Sequence, residues 1–135
     1  MVSGKFAISL HILTLLSKHS HEYLSSDQIA VSLNMNPVLI RKEIANLKRY
    51  DIVESREGKN GGTKLCKSPE GITLEEIFQI TFQSVSLGYS RNEPNPRCPV
   101  GRKINKNLSS LYEDINHKVS RQLRNVSLLN FADTF

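Results

Sequence analysis

The sequence predicts a mainly α-helical protein with one small β-hairpin. Three observations lead to this fold class: helical spacing of apolar residues over 4–49, a glycine-rich centre between two short stretches over 52–67, and a long helical period over 99–124. The chain of 135 residues is 39% hydrophobic and 23% charged, which is typical of one folded domain with its own core.

Two helices are predicted first. Apolar residues are dense over 4–18, which indicates a well-buried first helix. After a polar stretch, Ser25 or Ser26 can cap a second helix that has Ile29, Ala30 and Leu33 on one face.

A tight turn at 34–36 leads to the third helix. Asn36 can cap this helix, and Pro37 suits its first position because an N–H would have no partner there. Ile40, Ile44 and Leu47 fall at i, i+4 and i+7, so we expect them to form its buried stripe.

The pattern then changes to a hairpin and a fourth helix. Strands are predicted at 52–55 and 63–67, with a glycine-rich tip at 58–62. Thr73 can cap a helix that runs from Leu74 to about Phe82.

The remainder of the chain predicts an irregular loop and one long helix. Residues 84–99 hold three of the five prolines, and a helical period follows from about Pro99 to Arg124. Such a helix is roughly 37 Å long at about 1.5 Å per residue, more than a small domain can cover. We therefore expect a second copy to pack on its apolar stripe, with packing on the first helix of the same chain as the alternative. The stripe residues expected in this dimer are Ile104, Leu108, Leu111, Ile115 and Val119.

Three helices followed by a hairpin, with a short turn between helices two and three, predict a winged helix-turn-helix. The expected division is a DNA-binding domain over 1–83, a loop over 84–99, and a dimerisation helix with a C-terminal segment over 100–135. The alternative is a three-helix protein-interaction domain without direct DNA binding.

The charge distribution favours a nucleic-acid partner. The net charge is +5, and residues 1–68 carry ten basic and six acidic residues, a net charge of +4. Residues 41–67 alone hold eight basic residues against four acidic ones. A local cluster of this kind is typical of a phosphate-binding surface.

Three separated motifs occur in order: NPVLIRKEIANLKRYDIVESREGKNGGTKL over 36–65, GITLEEIF over 71–78 and NPRCPVGRKI over 95–104. In these motifs the chain resembles the IscR/CymR/NsrR family of winged-helix transcription regulators, most closely its YwnA-like branch. The resemblance covers nearly the whole chain and implies a homodimer that binds a palindromic operator in double-stranded DNA. One departure is Thr63, where relatives often carry an aromatic residue after the paired glycines.

The DNA-contacting residues are expected on the exposed face of helix three, at the start of helix two and at the hairpin tip. Arg41 and Lys42 are the best candidates for base edges, and Lys48 and Lys59 for phosphates. The alternatives are solvated surface charges in helix three and plain helix capping in helix two. The full predicted set is Ser25, Ser26, Gln28, Asn36, Val38, Arg41, Lys42, Lys48, Lys59, Asn60, Gly61 and Gly62.

Several relatives hold an iron–sulfur cluster on three cysteines before the long helix, whereas this segment contains only Cys98. One thiolate cannot hold a cluster conventionally, so no cofactor and no metal are predicted. Cys98 stands at a predicted helix start, which suits either a redox-active thiol or a small buried residue. Cys66 is expected on the return strand, in a structural role.

Other function classes find no support in the sequence. No apolar run is long enough to span a membrane and no signal peptide is recognisable, so a cytoplasmic protein is expected. No catalytic constellation occurs at useful spacing, so an enzyme is not expected. The prediction is a cytoplasmic homodimeric repressor. The alternatives are a thiol-based redox sensor that switches through Cys98 and a protein-docking regulatory module, and nothing in the sequence names a small-molecule effector.

Overall fold

The computed structural model describes residues 4–81 and 85–135. It is mainly helical, with one two-stranded antiparallel sheet. The elements in chain order are α1 (Lys5–Lys18), α2 (Ser26–Leu33), α3 (Pro37–Arg49), β1 (Val53–Arg56), β2 (Gly62–Leu65), a 3-10 turn (Pro69–Gly71), α4 (Leu74–Thr81), α5 (Pro99–Arg124) and α6 (Leu128–Ala132).

The core forms where α1, α2 and α3 meet. Ile12 of α1, Ile29 of α2, and Ile40 and Leu47 of α3 are fully buried, and Ile44 is 6% exposed. The predicted stripe on the third helix is therefore confirmed. Burial of such side chains stabilises the fold by about 1.5–3 kcal/mol each, before conformational entropy is deducted.

The turn between α2 and α3 has the predicted chemistry. Asn34 ends α2 in the left-handed conformation, with φ of 52°. Asn36 caps α3, since its side chain accepts a hydrogen bond from the N–H of Val38 at 2.9 Å, and Pro37 occupies the first turn. Asn tolerates the left-handed region better than most residues, which explains how so short a turn can connect the two helices.

The hairpin is present, but its strands are displaced from the prediction. They pair in antiparallel register from Val53 opposite Leu65 to Arg56 opposite Gly62. The expectation that Cys66 lies on the return strand is wrong. Although its N–H donates to the carbonyl of Ile52 at 3.0 Å, the chain already bends at Cys66 toward the 3-10 turn that starts at Pro69.

The hairpin is fastened to the residue that precedes the cap of α2. The N–H of Leu24 donates to the carbonyl of Thr63 at 3.0 Å, and the N–H of Thr63 donates back at 2.8 Å. Gly62 makes this approach possible, because it has a φ of 149° and a Cβ there would lie 2.4 Å from the carbonyl oxygen of Leu24. The wing and the start of α2 are thus held side by side.

The C-terminal segment returns to the core. The N–H of Leu74 donates to the carbonyl of Val126 at 2.9 Å, and the N–H of Leu128 donates to the carbonyl of Ile72 at 2.8 Å. Leu128 and Ala132 of α6 are buried, and α6 packs against α1. The expected division instead groups this segment with the long helix.

The long helix has the predicted bounds, and α4 is its main neighbour within the chain. Tyr112 is buried, and its hydroxyl donates to the carbonyl of Gly88 at 2.5 Å. Tyr89 packs edge-on against the Tyr112 ring at 5.5 Å. The loop before α5 therefore covers one face of this helix. Packing of α5 on α1, the alternative considered above, is not its main contact within the chain. The predicted cap of α4 is confirmed, because Thr73 Oγ1 accepts from the N–H of Glu76 at 3.3 Å. The predicted end of α4 at Phe82 lies outside the described residues.

Candidate nucleic-acid interface

The exposed face of α3 carries positive charge without an exposed carboxylate to oppose it. Arg41, Lys42, Lys48 and Arg49 are all exposed, while Glu43, the one acidic residue of this helix, is 8% exposed. A positively charged helix face of this kind attracts the phosphate backbone.

Two other residues of the same helix differ in environment. Val38, in the first turn, is 60% exposed. Asn46, which the helical period places near the exposed face, is half-buried, and its Nδ2 donates to the carbonyl of Ile80 at 3.4 Å. Asn46 therefore links α3 to α4.

The start of α2 is a capping box. The N–H of Gln28 donates to Ser25 Oγ at 3.1 Å, and the N–H of Ser25 donates to Gln28 Oε1 at 2.8 Å. The capping role considered as an alternative for these two residues is thus real. It does not consume the hydroxyl hydrogen of Ser25 or the amide hydrogens of Gln28, which keep their capacity to donate to a phosphate.

A concave surface of about 680 Å³ lies between the start of α2 and the hairpin tip. It brings together predicted residues from both elements. Its lining residues are His21, Glu22, Tyr23, Ser25, Gln28, Arg56, Gly58, Asn60 and Gly61. Lys59 is exposed at the hairpin tip, and its sequence neighbours Gly58 and Asn60 line this surface.

The base of the wing is organised around Tyr23, a residue that no sequence pattern indicated. The Tyr23 ring lies 4.3 Å from the Arg56 guanidinium carbon and 4.8 Å from Lys64 Nζ. Its hydroxyl donates to Glu54 Oε1 at 2.9 Å, and Lys64 pairs with the same oxygen at 3.6 Å. Cation–π contacts of this kind restrain the cations against the ring.

Arg56 also stabilises the tip of the hairpin, since its guanidinium donates to the carbonyl of Asn60 at 2.9 Å. The position after the paired glycines, Thr63, is 3% exposed and small. The aromatic ring that contacts the wing is that of Tyr23, which lies in the linker before α2. Only the membership of Arg56 in the basic cluster hinted at this arrangement, because no helical or strand period in residues 19–24 indicated a partner for Tyr23.

Cys98 caps the long helix. Its sulfur accepts a hydrogen bond from the N–H of Gly101 at 3.4 Å, and the residue is exposed, so the expectation of a buried residue is wrong. Gly101 allows the preceding loop to approach, because a Cβ there would lie 2.6 Å from the carbonyl oxygen of Asn95. The CPVG segment over 98–101 thus forms the start of α5.

The cysteine environment does not fit an iron–sulfur cluster. The chain has two cysteines in all, and within residues 4–81 and 85–135 no three His, Cys, Asp or Glu side chains are grouped as metal ligands. Desolvation raises the pKa of the Cys66 thiol, and the carboxylates of Glu54 and Asp51 raise it further. A higher pKa leaves less thiolate, which is the form that ligates metals.

Comparisons with known proteins place these features in one family. The model of the family described as "Rrf2: Iron-dependent Transcriptional regulator" matches residues 2–134. YwnA of Bacillus subtilis, named as an HTH-type transcriptional regulator, is 38% identical over 128 residues, which cover 95% of this chain and 94% of YwnA. The HTH-type transcriptional regulator NsrR of Bacillus licheniformis is 33% identical over 79% of each chain.

A solved structure shows the same fold. CymR, described as the global cysteine regulator of B. subtilis, superposes with a TM-score of 0.73 at 22% identity, over 100% of this chain and 98% of the CymR chain. The winged helix, the cationic α3 and the family match define a DNA-binding transcription regulator. The chain belongs to the Rrf2 family of transcriptional regulators. Among the helices that the structure describes, none is both long and apolar enough to cross a membrane.

Proposed function

We propose that the protein is a cytoplasmic homodimeric repressor that binds a palindromic operator and works without an iron–sulfur cluster. The observation that carries this proposal is the exposed face of α3, which holds four cations and no exposed carboxylate. The concave surface between α2 and the wing, with its donors from both elements, supports it.

In the proposed complex, α3 enters the major groove. Arg41 and Lys42 contact base edges there, and Val38 meets a thymine methyl group. Asn36 and Lys48, at the two ends of the helix, contact the backbone.

Phosphates of the flanking backbone lie against the concave surface. The N-terminus of α2, with Ser25, Ser26 and Gln28, supplies N–H and side-chain donors. Lys59, Asn60 and the backbone of Gly61 and Gly62 approach from the wing, and Arg56 adds a charge that Tyr23 holds in place.

Dimerisation uses the stripe on α5. Leu111 is 50% exposed in the single chain, and Ile104, Leu108, Ile115 and Val119 are only partly buried. At 100° per residue, this stripe lies next to the face that contacts the loop through Ser109, Tyr112 and Asn116. A second copy would cover it, and two-fold symmetry would present two copies of α3 to two half-sites.

The test is selection of bound duplexes from a random pool, followed by titration of the selected sequence against a shuffled one. We expect a symmetric selected motif and at least about a thousandfold preference near physiological salt. The slope of log affinity against log salt should be about −0.9 per neutralised phosphate. Equal affinity for both duplexes would refute sequence-specific binding, and no binding to either would favour the protein-docking alternative.

A second candidate function is redox control through Cys98. The observation that favours it is that the exposed Cys98 sulfur accepts the Gly101 N–H at the start of the helix proposed to dimerise. Treatment with mild peroxide should then lower operator affinity in the native chain and leave a Cys98→Ser variant unaffected. Unmodified Cys98 by mass spectrometry, with unchanged affinity, would refute this function.

A further inference from the structure

The backbone bridge between the linker and the wing determines where the Tyr23 side chain lies. Leu24 pairs with Thr63 as in an antiparallel sheet, and both side chains are buried, at 8% and 3% exposed. Neighbouring side chains of an extended chain point to opposite faces. Tyr23 therefore lies on the outer face of the wing, opposite to the core.

The outer face of the hairpin accommodates this ring. In the antiparallel register Glu54 stands opposite Lys64, and Arg56 stands opposite Gly62. A glycine in a strand has no side chain to fill the space beside its partner. The Tyr23 ring lies next to Arg56 on this face, with its centre 4.3 Å from the guanidinium carbon.

The two cations that contact the ring differ in their partners. Lys64 Nζ pairs with Glu54 Oε1 at 3.6 Å, and the same oxygen accepts the hydrogen bond from the Tyr23 hydroxyl. Among the residues that the structure describes, Arg56 forms no ion pair with a carboxylate. Its guanidinium donates to the carbonyl of Asn60, and further N–H donors remain. Arg56 therefore keeps its positive charge available for an anion.

This charge lies at the concave surface between α2 and the wing. Of the lining residues in the described part of the chain, Arg56 is the one with a permanent positive charge, and Ser25 and Gln28 line the same surface. Glu22, the acidic residue of the lining, has its close contact with His19 at 3.8 Å and not with Arg56. A guanidinium beside hydroxyl and amide donors suits a phosphate.

We propose that Tyr23 is a positioning residue, which holds the Arg56 guanidinium at the concave surface so that it binds one phosphate of the DNA backbone. A long side chain loses rotamer freedom when it binds, and a ring that already restrains it reduces this cost. The hydroxyl acts on the ring, because its bond to Glu54 fixes the ring in place. The phosphate contact rests on the proposed DNA-binding function, whereas the restraint of Arg56 does not.

Nuclear magnetic resonance of the full-length protein without DNA tests the restraint. The measurement is nitrogen-15 relaxation at Arg56 Nε, and Tyr23→Leu should lower its order parameter, because the cation–π contact is lost. Tyr23→Phe, which retains the ring, should keep the order parameter close to the native value. An unchanged order parameter in Tyr23→Leu would overturn the proposal.

Hydrogen exchange at the N–H of Thr63 separates positioning from a structural role. This group donates to the carbonyl of Leu24, so its protection reports whether the wing stays fastened to the linker. Protection should be retained in Tyr23→Leu. Its loss would show that Tyr23 holds the whole wing in place and would overturn the positioning role.

A double-mutant cycle on a selected operator tests the phosphate contact. Tyr23→Leu should weaken binding about threefold, as expected for a cation–π contact at an exposed site, and Tyr23→Phe should bind nearly as well as the native chain. Arg56→Met should make the slope of log affinity against log salt shallower by about 0.9. In the Arg56→Met background Tyr23→Leu should have no further effect, whereas in the background of Lys48→Met, a change on α3, it should keep its full effect.

The outcomes of the cycle are distinct. A loss from Tyr23→Leu that persists in the Arg56→Met background would show that Tyr23 does not act through Arg56. An unchanged affinity in Tyr23→Leu, or an unchanged salt slope in Arg56→Met, would overturn the phosphate contact. A native chain that binds no duplex would refute the proposed function, and the relaxation measurement alone would then decide whether Tyr23 restrains Arg56.

Discussion

At the scale of single residues, Arg41 and Lys59 illustrate two kinds of DNA contact. Arg41 lies in the second turn of an exposed helix face, and Lys59 lies at the tip of a hairpin. A guanidinium can form two hydrogen bonds with a guanine edge, whereas an ammonium at a phosphate carries no sequence information. The two positions should therefore differ in what their loss changes.

Arg41→Ala should cost about 1–3 kcal/mol on the selected operator and little on shuffled DNA, because it removes base contacts. Lys59→Ala should weaken both duplexes alike and make the salt slope shallower by about 1. Fluorescence anisotropy titrations with the two duplexes measure both effects. Equal losses on both duplexes for Arg41→Ala would place that residue on the backbone instead.

Cys66 is a residue whose chemistry follows from its surroundings. Desolvation and the nearby carboxylates of Glu54 and Asp51 raise the pKa of its thiol, so a higher pH is needed to form the thiolate. Cys66 should react with iodoacetamide more slowly at neutral pH than an unperturbed thiol, and the rate should rise at a more alkaline pH.

Asp51→Asn is the matched control for this prediction. Asp51 adopts a left-handed φ of 57°, a conformation that Asn also tolerates, so the change removes a charge with little strain. The variant should shift the alkylation profile of Cys66 toward lower pH. Peptide mass spectrometry measures the rate at each cysteine separately, and an unmoved profile would contradict the electrostatic explanation.

At the scale of elements, α5 is fastened to α4 by a two-point ion pair. Arg124 Nε donates to Glu75 Oε2 at 2.7 Å, and a terminal guanidinium nitrogen donates to Oε1 at 3.0 Å. These hydrogen bonds lower the pKa of Glu75 in the folded protein. The folded state therefore favours the ionised carboxylate more than the unfolded chain does.

A stability contribution of this sign is present above the ordinary pKa of glutamate and is lost as the pH falls through the lowered one. Glu75→Gln should thus lower the free energy of unfolding at neutral pH, and the difference from the native chain should shrink below about pH 4. Urea titrations over this range provide the measurement. Asp114→Asn, which breaks an exposed pair with Lys118 within one helix, should change stability little at any pH.

At the scale of the whole molecule, the apolar stripe of α5 governs assembly. Leu111→Glu would place a carboxylate in the proposed interface of each copy, and an unpaired charge buried there costs several kcal/mol. The dimer dissociation constant should rise on the order of a hundredfold. Sedimentation equilibrium measures it, and loss of operator affinity should follow, because each half-site then binds alone.

Ser110→Glu is the matched control, since Ser110 is exposed on the same helix and about 100° away from Leu111. It adds the same charge and should leave dimerisation unchanged. A native chain that sediments as a monomer at micromolar concentration would contradict the proposed dimer, and so would an unchanged dimer in Leu111→Glu.

Local chemistry in the sequence determined much of this protein. Apolar spacing predicted α1 to α5, side-chain caps predicted the starts of α2 and α3, and the paired glycines predicted the wing. Each of these signals involves residues a few positions apart, where helix and turn geometry dictates the pattern. With two cysteines, one chain cannot by itself supply three thiolates, so the sequence predicted no cluster of that kind. The side-chain caps of α2, α3 and α4, the buried stripe of α3 and the family are confirmed. The DNA-contacting residues and the dimer stay predictions.

Only the tertiary structure decided which distant segments meet. Leu24 pairs with Thr63, the Tyr23 ring contacts Arg56, and α6 returns to α1. These contacts join residues that are 33 or more positions apart, and no local period records which surfaces complement each other. Complementary shape and hydrogen bonding in the folded chain determine which segments meet, and they place the wing beside α2.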